Sequence, residues 1–173
     1  MADRSYVIVS GPPGSGKSTL APTVAGELAL PLFAKDSIKE ALLGRNAAAD
    51  LEDSHRIGRA AMEALFTLAE EAPAGAVLEA NFHRSVAAHS IRALPGSTVE
   101  VFCRCDREVA LGRYRARAGG RAAGHFDAER SDAEIWHDDV TQPVAGGWPV
   151  IEVDTNGPVA LGALLARLRA VLP

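Results

Sequence analysis

Three observations predict an α/β fold, a three-layer arrangement with a five-stranded parallel sheet and helices on both faces. Short apolar runs of strand length alternate with helical periodicity along the whole chain. Each run is separated from the next by segments that read as helix, the pattern that gives a parallel sheet covered on both sides. A glycine-rich turn joins the first strand directly to the first helix. With 173 residues the chain is expected to form one domain over 1–173, large enough to bury ~70% of its unfolded surface without a metal or disulfide.

Taken in order, Tyr6-Val7-Ile8-Val9-Ser10 reads as a short buried strand and residues 16–29 as a helix, with Pro22 tolerated only near its first turns. Pro31-Leu32-Phe33-Ala34-Lys35 reads as a second strand. Asp36-Ser37 can cap a helix to about Leu43, with Gly44 after it. Residues 55–71 carry Ile57, Ala61, Ala64, Leu65 and Leu68 at helical spacing. Ala76–Ala80 is the third strand, 84–93 a helix, Thr98–Cys103 the fourth strand and 106–118 an arginine-rich helix. Val150-Ile151-Glu152-Val153 is the last strand. Leu161, Leu164, Leu165, Leu168 and Leu172 stripe the final helix. There is no internal repeat and no low-complexity linker.

Composition narrows the function classes. A net charge of −4 and a pI near 5.7 supply no global basic field, which argues against a nucleic-acid binder and favours small substrates. The first residues show no basic segment followed by an apolar one, and no apolar run reaches ~18 residues. A soluble, cytoplasmic protein without a membrane partner is expected. Cys103 and Cys105 alternate on a strand with Cα atoms about 6.6 Å apart, where bridging geometry is poor, so both read as small buried apolar residues.

Gly11-Pro12-Pro13-Gly14-Ser15-Gly16-Lys17-Ser18 fits G-x-x-x-x-G-K-[ST] between strand and helix, the context that pattern needs, with Thr19 following. The glycines let the backbone curl so that successive N–H groups point at an anion, and the helix N-terminus adds partial positive charge. Lys17 would reach the β- and γ-phosphates of a purine nucleoside triphosphate, and the Ser18 hydroxyl would ligate Mg²⁺.

Ligands of such sheets bind beyond the carboxyl ends of the strands. Asp36, at the end of strand two, suits a general base or substrate orienter, with helix cap as its structural alternative. Glu79, at the end of strand three, suits Mg²⁺ binding through water, an alternative base, or a solvated strand end. Lys39, Asn81 and His83 join Asp36 and Glu79 as candidates for an acceptor pocket. An apolar strand ending cleanly in Asp, the usual Mg²⁺-side partner of the loop, is not present. Arg107, Arg113, Arg115, Arg117 and Arg121 crowd one stretch, broken by Gly119-Gly120 and Gly124. The segment 113–130 therefore reads as a short arginine-bearing lid, with His125 inside it. The histidines lack metal-ligand spacing. Trp136 and Trp148 read as packing residues.

The loop, Ala34-Lys35-Asp36-Ser37-Ile38-Lys39, Leu78-Glu79-Ala80-Asn81-Phe82 and the arginine-glycine stretch through His125-Phe126-Asp127 resemble a small P-loop kinase of the group containing chloramphenicol phosphotransferase, polynucleotide kinase and zeta toxin. The resemblance implies the P-loop NTPase fold and makes Asp36 the general base. It assigns Arg113 and Arg117 to the phosphates and sets Asp154-Thr155-Asn156-Gly157 beside the adenine. The expected activity is ATP- and Mg²⁺-dependent transfer to a hydroxyl of a small molecule, an antibiotic or nucleoside-like metabolite being the first candidates. A nucleic-acid 5′-hydroxyl kinase and a nucleotide-dependent ATPase or switch are the alternatives. The chain has no guanine-reading N-K-x-D segment, which counts against the switch.

Overall fold

Alternation along the strands sets the layers. In β1 (Ser5–Ser10), Val7 and Val9 face one way and Tyr6 and Ile8 the other, and all four are completely buried. The computed structural model describes residues 4–44, 50–118 and 131–173. After β1 come α1 (Lys17–Leu28), β2 (Leu32–Ala34), α2 (Lys35–Leu43), α3 (Leu51–Glu71), β3 (Gly75–Glu79) and α4 (Arg84–Arg92). They are followed by β4 (Ser97–Arg104), α5 (Arg107–Ala118), α6 (Asp132–Ile135), α7 (Asp138–Thr141), β5 (Val150–Asp154) and α8 (Leu161–Val171). The strands pair in parallel in the order β2-β3-β1-β4-β5. On one face Val7, Val9, Val101 and Ile151 pack on Leu20 and Val24 of α1 and Leu164, Leu165 and Leu168 of α8. On the other, Tyr6, Ile8 and Leu78 pack on Leu65 and Ala69 of α3 and Ile91 of α4. The predicted three-layer α/β fold is the one observed. The strand order reverses at β1, which places the loop after it in the crevice such sheets use for ligands.

Several boundaries differ from the sequence reading, each for a local reason. α2 starts at Lys35 with Ala34 as its N-cap and no side-chain cap bond. Asp36 therefore sits inside the first turn, where the helix dipole favours its charge, and is not the cap. α3 begins at Leu51 because the Asp50 carboxylate accepts the Asp53 N–H at 2.8 Å. Its buried stripe is Ser54, Ile57, Ala61, Leu65 and Ala69, whereas Leu68 is 40% exposed. Pro22 lies in the second turn of α1, removing the N–H that would meet the Ser18 carbonyl. α6 and α7 were not foreseen. α6 is nevertheless announced by a capping box, Ser131 and Glu134 bonding each other's backbone.

One buried carboxylate ties the core to the approach of the last strand. Glu100 on β4 is fully buried and accepts from Ser10 Oγ at 2.6 Å, Val144 N at 2.8 Å, Ala145 N at 2.9 Å and Trp148 Nε1 at 3.2 Å. Four donors explain how an acid can sit beside Ile8 in the middle of a sheet. They also hold Ala145 in its left-handed conformation (φ 49°) and give Trp148 a packing role. Cys103 and Cys105 are both buried and unpaired by disulfide, as the sequence suggested. Burial pushes the Cys103 thiol up to about 12, leaving it a neutral packing group.

Candidate active site

The loop from Gly11 to Ser18 turns on glycines that other residues would not replace. Gly14 adopts φ 80°, and a Cβ there would lie 2.0 Å from the Ala110 carbonyl oxygen of α5. Gly16, at φ 87°, is the N-cap of α1 and starts the helix without a side-chain cap. The first N–H groups of α1 therefore open onto the loop with no acceptor inside the helix. Pro12, Pro13 and Ser15 are buried in the wall of the turn, and Ser15 N donates to Pro12 O at 3.1 Å. Ser15 Oγ is buried and finds no hydrogen-bond partner among the described residues. An orphaned hydroxyl in a glycine-rich turn at a helix N-terminus is what a phosphate would satisfy.

Lys17 is 5% exposed, and its ammonium donates to Pro12 O at 2.8 Å. Burial pushes its pKa below the usual lysine value, with Glu79 the largest influence in the other direction. Ser18 Oγ donates to Glu79 Oε2 at 3.4 Å, joining the first turn of α1 to the end of β3. This pair of oxygens suits a hard divalent cation such as Mg²⁺, which takes one or two protein oxygens and completes its shell with phosphate and water. Among the described residues no group of three or more His, Cys, Asp or Glu is placed to hold a metal on its own.

Three cavities surround the loop. The first, of about 640 Å³, lies over Gly14, Gly16 and Thr19 and is closed by Arg113, Thr155 and Val159. Thr155 is anchored by its hydroxyl to Arg104 O at 2.9 Å. Asp154 does not line this cavity; it pairs with Arg104 at 3.1 Å and accepts from Asn156 N at 2.9 Å. The second cavity, of about 450 Å³, lies on the opposite side of Pro13 and contains Asp36, Lys39, Asn81 and His83. The third, of about 260 Å³, contains Ser18, Glu79, Asp36 and Arg117. Asp36 borders the second and third cavities, and Arg117 the first and third.

The arginine cluster divides its labour. Arg113 and Arg117, read together as phosphate clamps, part company: the Arg113 guanidinium donates to Thr155 O at 2.8 Å and Asn156 O at 2.9 Å. Both residues line the first cavity, and Arg117, one helical turn further along α5, also lines the third with Ser18. Arg107 and Arg115 pair with Asp132 and hold α6. Arg121, His125, Phe126 and Asp127, and so most of the expected lid over 113–130, lie outside the described residues.

Sequence reasoning missed much of the second cavity's wall. Lys35, Ser54, Arg59, Tyr114 and Glu134 contribute to it, together with His55 and His137, which had been weighed only as metal ligands. The His83 and His137 rings meet tilted at 42° with centroids 5.2 Å apart, and His83 Nδ1 lies 3.3 Å from Asp139 Oδ2. Asp139 also accepts from Ser85 N at 2.8 Å and Ser85 Oγ at 2.6 Å, bonds that hold its carboxyl below the usual range. The capping box of α6 was the one local signal for these residues.

Residues 7–143 match the AAA domain family, and the chain belongs to it. Among curated proteins no sequence matches the chain. The structure of a presumed kinase from Chloroflexus aurantiacus J-10-fl is similar, with 26% identity and a TM-score of 0.86, over 99% of this chain and 100% of that one. APS kinase from Mycobacterium tuberculosis, solved with AMPPNP and APS, superposes with a TM-score of 0.63 at 16% identity, over 99% and 98%. Shikimate kinase from Acinetobacter baumannii, solved with shikimate, gives 0.61 at 18% identity, over 98% and 92%. The fold is that of the small P-loop kinases. No described helix is long and apolar enough to cross a membrane.

Proposed function

We propose that this chain, working as one domain across 1–173, moves the γ-phosphate of ATP onto a hydroxyl of a small molecule with Asp36 as general base. The observation that carries the reading is that Asp36 borders both the acceptor-side cavity and the small cavity holding Ser18, Glu79 and Arg117. A carboxylate there meets an incoming hydroxyl on one side and the transferring phosphate on the other. Lys17 and the loop N–H groups bind and orient the β- and γ-phosphates. Arg117 counters charge on the phosphoryl group in transit. As the acceptor oxygen bonds to Pγ and the bond to the ADP oxygen breaks, the hydroxyl proton passes to an Asp36 carboxylate oxygen. Ser18 and Glu79 would hold Mg²⁺, which supplies charge neutralisation at the phosphates.

Two structural neighbours being kinases, one solved with shikimate and one with APS, supports a small acceptor over a macromolecular one. The narrower likeness to chloramphenicol phosphotransferase, polynucleotide kinase and zeta toxin rests on the loop, Ala34–Lys39, Leu78–Phe82 and the arginine-glycine stretch through Asp127. In a screen of hydroxyl compounds with ATP labelled in its γ-phosphate, label is expected in a small organic product. Label appearing only as inorganic phosphate throughout the screen would contradict the reading.

A further inference from the structure

The wall of the acceptor-side cavity carries one more cation than carboxylate, in a chain whose net charge is −4. Its walls carry Lys35, Lys39 and Arg59 against two carboxylates, Asp36 and Glu134, with Lys35 Nζ 3.9 Å from Asp36 Oδ1. Packing fixes Lys39, while Arg59 is exposed at the rim. Lys39, 6% exposed, lies one helical turn after Asp36 and donates to Ser54 Oγ at 2.7 Å, across the contact of α2 with α3. Lys35 lies against α3 at Gly58, where a Cβ would stand at ordinary contact distance, 3.6 Å, from Lys35 Nζ. Arg59 follows on the same stretch of α3. Lysine and arginine are among the residues least often buried, and a lysine tie between two helices is not required where a neutral donor would serve. Ammonium and guanidinium groups gathered in a cavity bind carboxylate and phosphate oxygens through charge-assisted hydrogen bonds. Glu134 Oε2 accepts from Ser131 N and Ser131 Oγ, each at 2.7 Å. The volume, about 450 Å³, lies in the lower half of the range for small-molecule pockets.

We infer that the acceptor is a small anionic hydroxy compound, its carboxylate or phosphate held by Lys35, Lys39 and Arg59 and its hydroxyl turned to Asp36. This rests on the phosphotransferase reading for the hydroxyl end, while the anion end stands on the cavity alone. Specificity then comes from α2 and α3, whose cations select the charge, and reactivity from Asp36 at the junction with the phosphate loop.

The test pairs anions with neutral counterparts: glycerate and glycerol 3-phosphate with glycerol, gluconate with sorbitol, glucose 6-phosphate with glucose, and shikimate with its methyl ester. Binding to the full chain is measured by calorimetry with MgADP present, and transfer by labelled γ-phosphate. At least one anion is expected to bind about 100-fold more tightly than its neutral counterpart. Whether the tighter anions are carboxylates or phosphate esters identifies the source of the charge. Arg59→Gln, on the exposed rim of α3, and Lys39→Met should each weaken that binding about 10- to 100-fold. Neutral compounds binding as tightly as their anions, no anion binding at all, or an oligonucleotide 5′ end preferred over every small anion would each overturn the inference. An anion that binds, loses affinity in Arg59→Gln and receives no phosphate would uphold the anion site and strike down the transfer reading instead.

Discussion

The two larger cavities beside the phosphate loop, proposed for nucleotide and for acceptor, are built by different means. The 640 Å³ cavity draws its walls from three short stretches, 14–23, 113–117 and 155–161. Its central feature is a backbone shape set by Gly11, Gly14 and Gly16, all at positive φ. The 450 Å³ cavity gathers side chains from α2, α3, the turn after β3, α5, α6 and α7, spread from residue 13 to residue 140. One side is a conformation that a short sequence encodes; the other is a meeting of side chains that only packing brings about. The difference explains why a single fold can keep one donor chemistry while its acceptor changes.

The sharpest way to break this comparison is through the loop. Lys17→Ala removes the buried ammonium and should reduce transfer by on the order of a thousandfold while weakening MgATP binding. Calorimetry and turnover indistinguishable from wild type would remove the nucleotide side from the account. A finer cut separates the two arginines of α5. Arg117→Ala should lower kcat about a hundredfold, because its side chain borders the phosphate cavity. Arg113→Ala should act mainly on the KM for ATP, by about tenfold, because its guanidinium holds the Thr155 and Asn156 carbonyls at the far wall. The opposite pattern in steady-state kinetics would return Arg113 to the phosphates.

Much of the architecture was legible in the sequence because it rests on period and local chemistry. Val7 and Val9 alternating with Tyr6 and Ile8 determine a two-sided buried strand, and Gly11–Ser18 encode their own turn. Asp36 reads as a strand end and lies in the first turn of α2, since nothing in Ala34-Lys35-Asp36 distinguishes the two. Arg113 and Arg117 look equivalent at i and i+4; what separates them is the turn after β5, which no periodicity in α5 reveals. Tyr114, Arg59 and His137 reach one cavity across long stretches of chain, and such contacts leave no spacing to read. Glu100 is the extreme case. An acid at the centre of a β-strand pattern reads as a solvent-facing position until Ser10, Val144, Ala145 and Trp148 are seen converging on it.

The central claim is that binding of nucleotide and transfer of phosphate are separable at Asp36, which borders the 450 Å³ cavity and the small cavity holding Ser18, Glu79 and Arg117. Asp36→Asn keeps the size of the side chain and removes its charge, so MgATP binding and transfer can be measured side by side in the same variant. The account predicts MgATP affinity close to wild type by calorimetry, with transfer to the acceptor reduced by about two to four orders of magnitude. Transfer at the wild-type rate would contradict it and make Glu79 the base to examine, and loss of the folded state would reduce Asp36 to a helix-start residue.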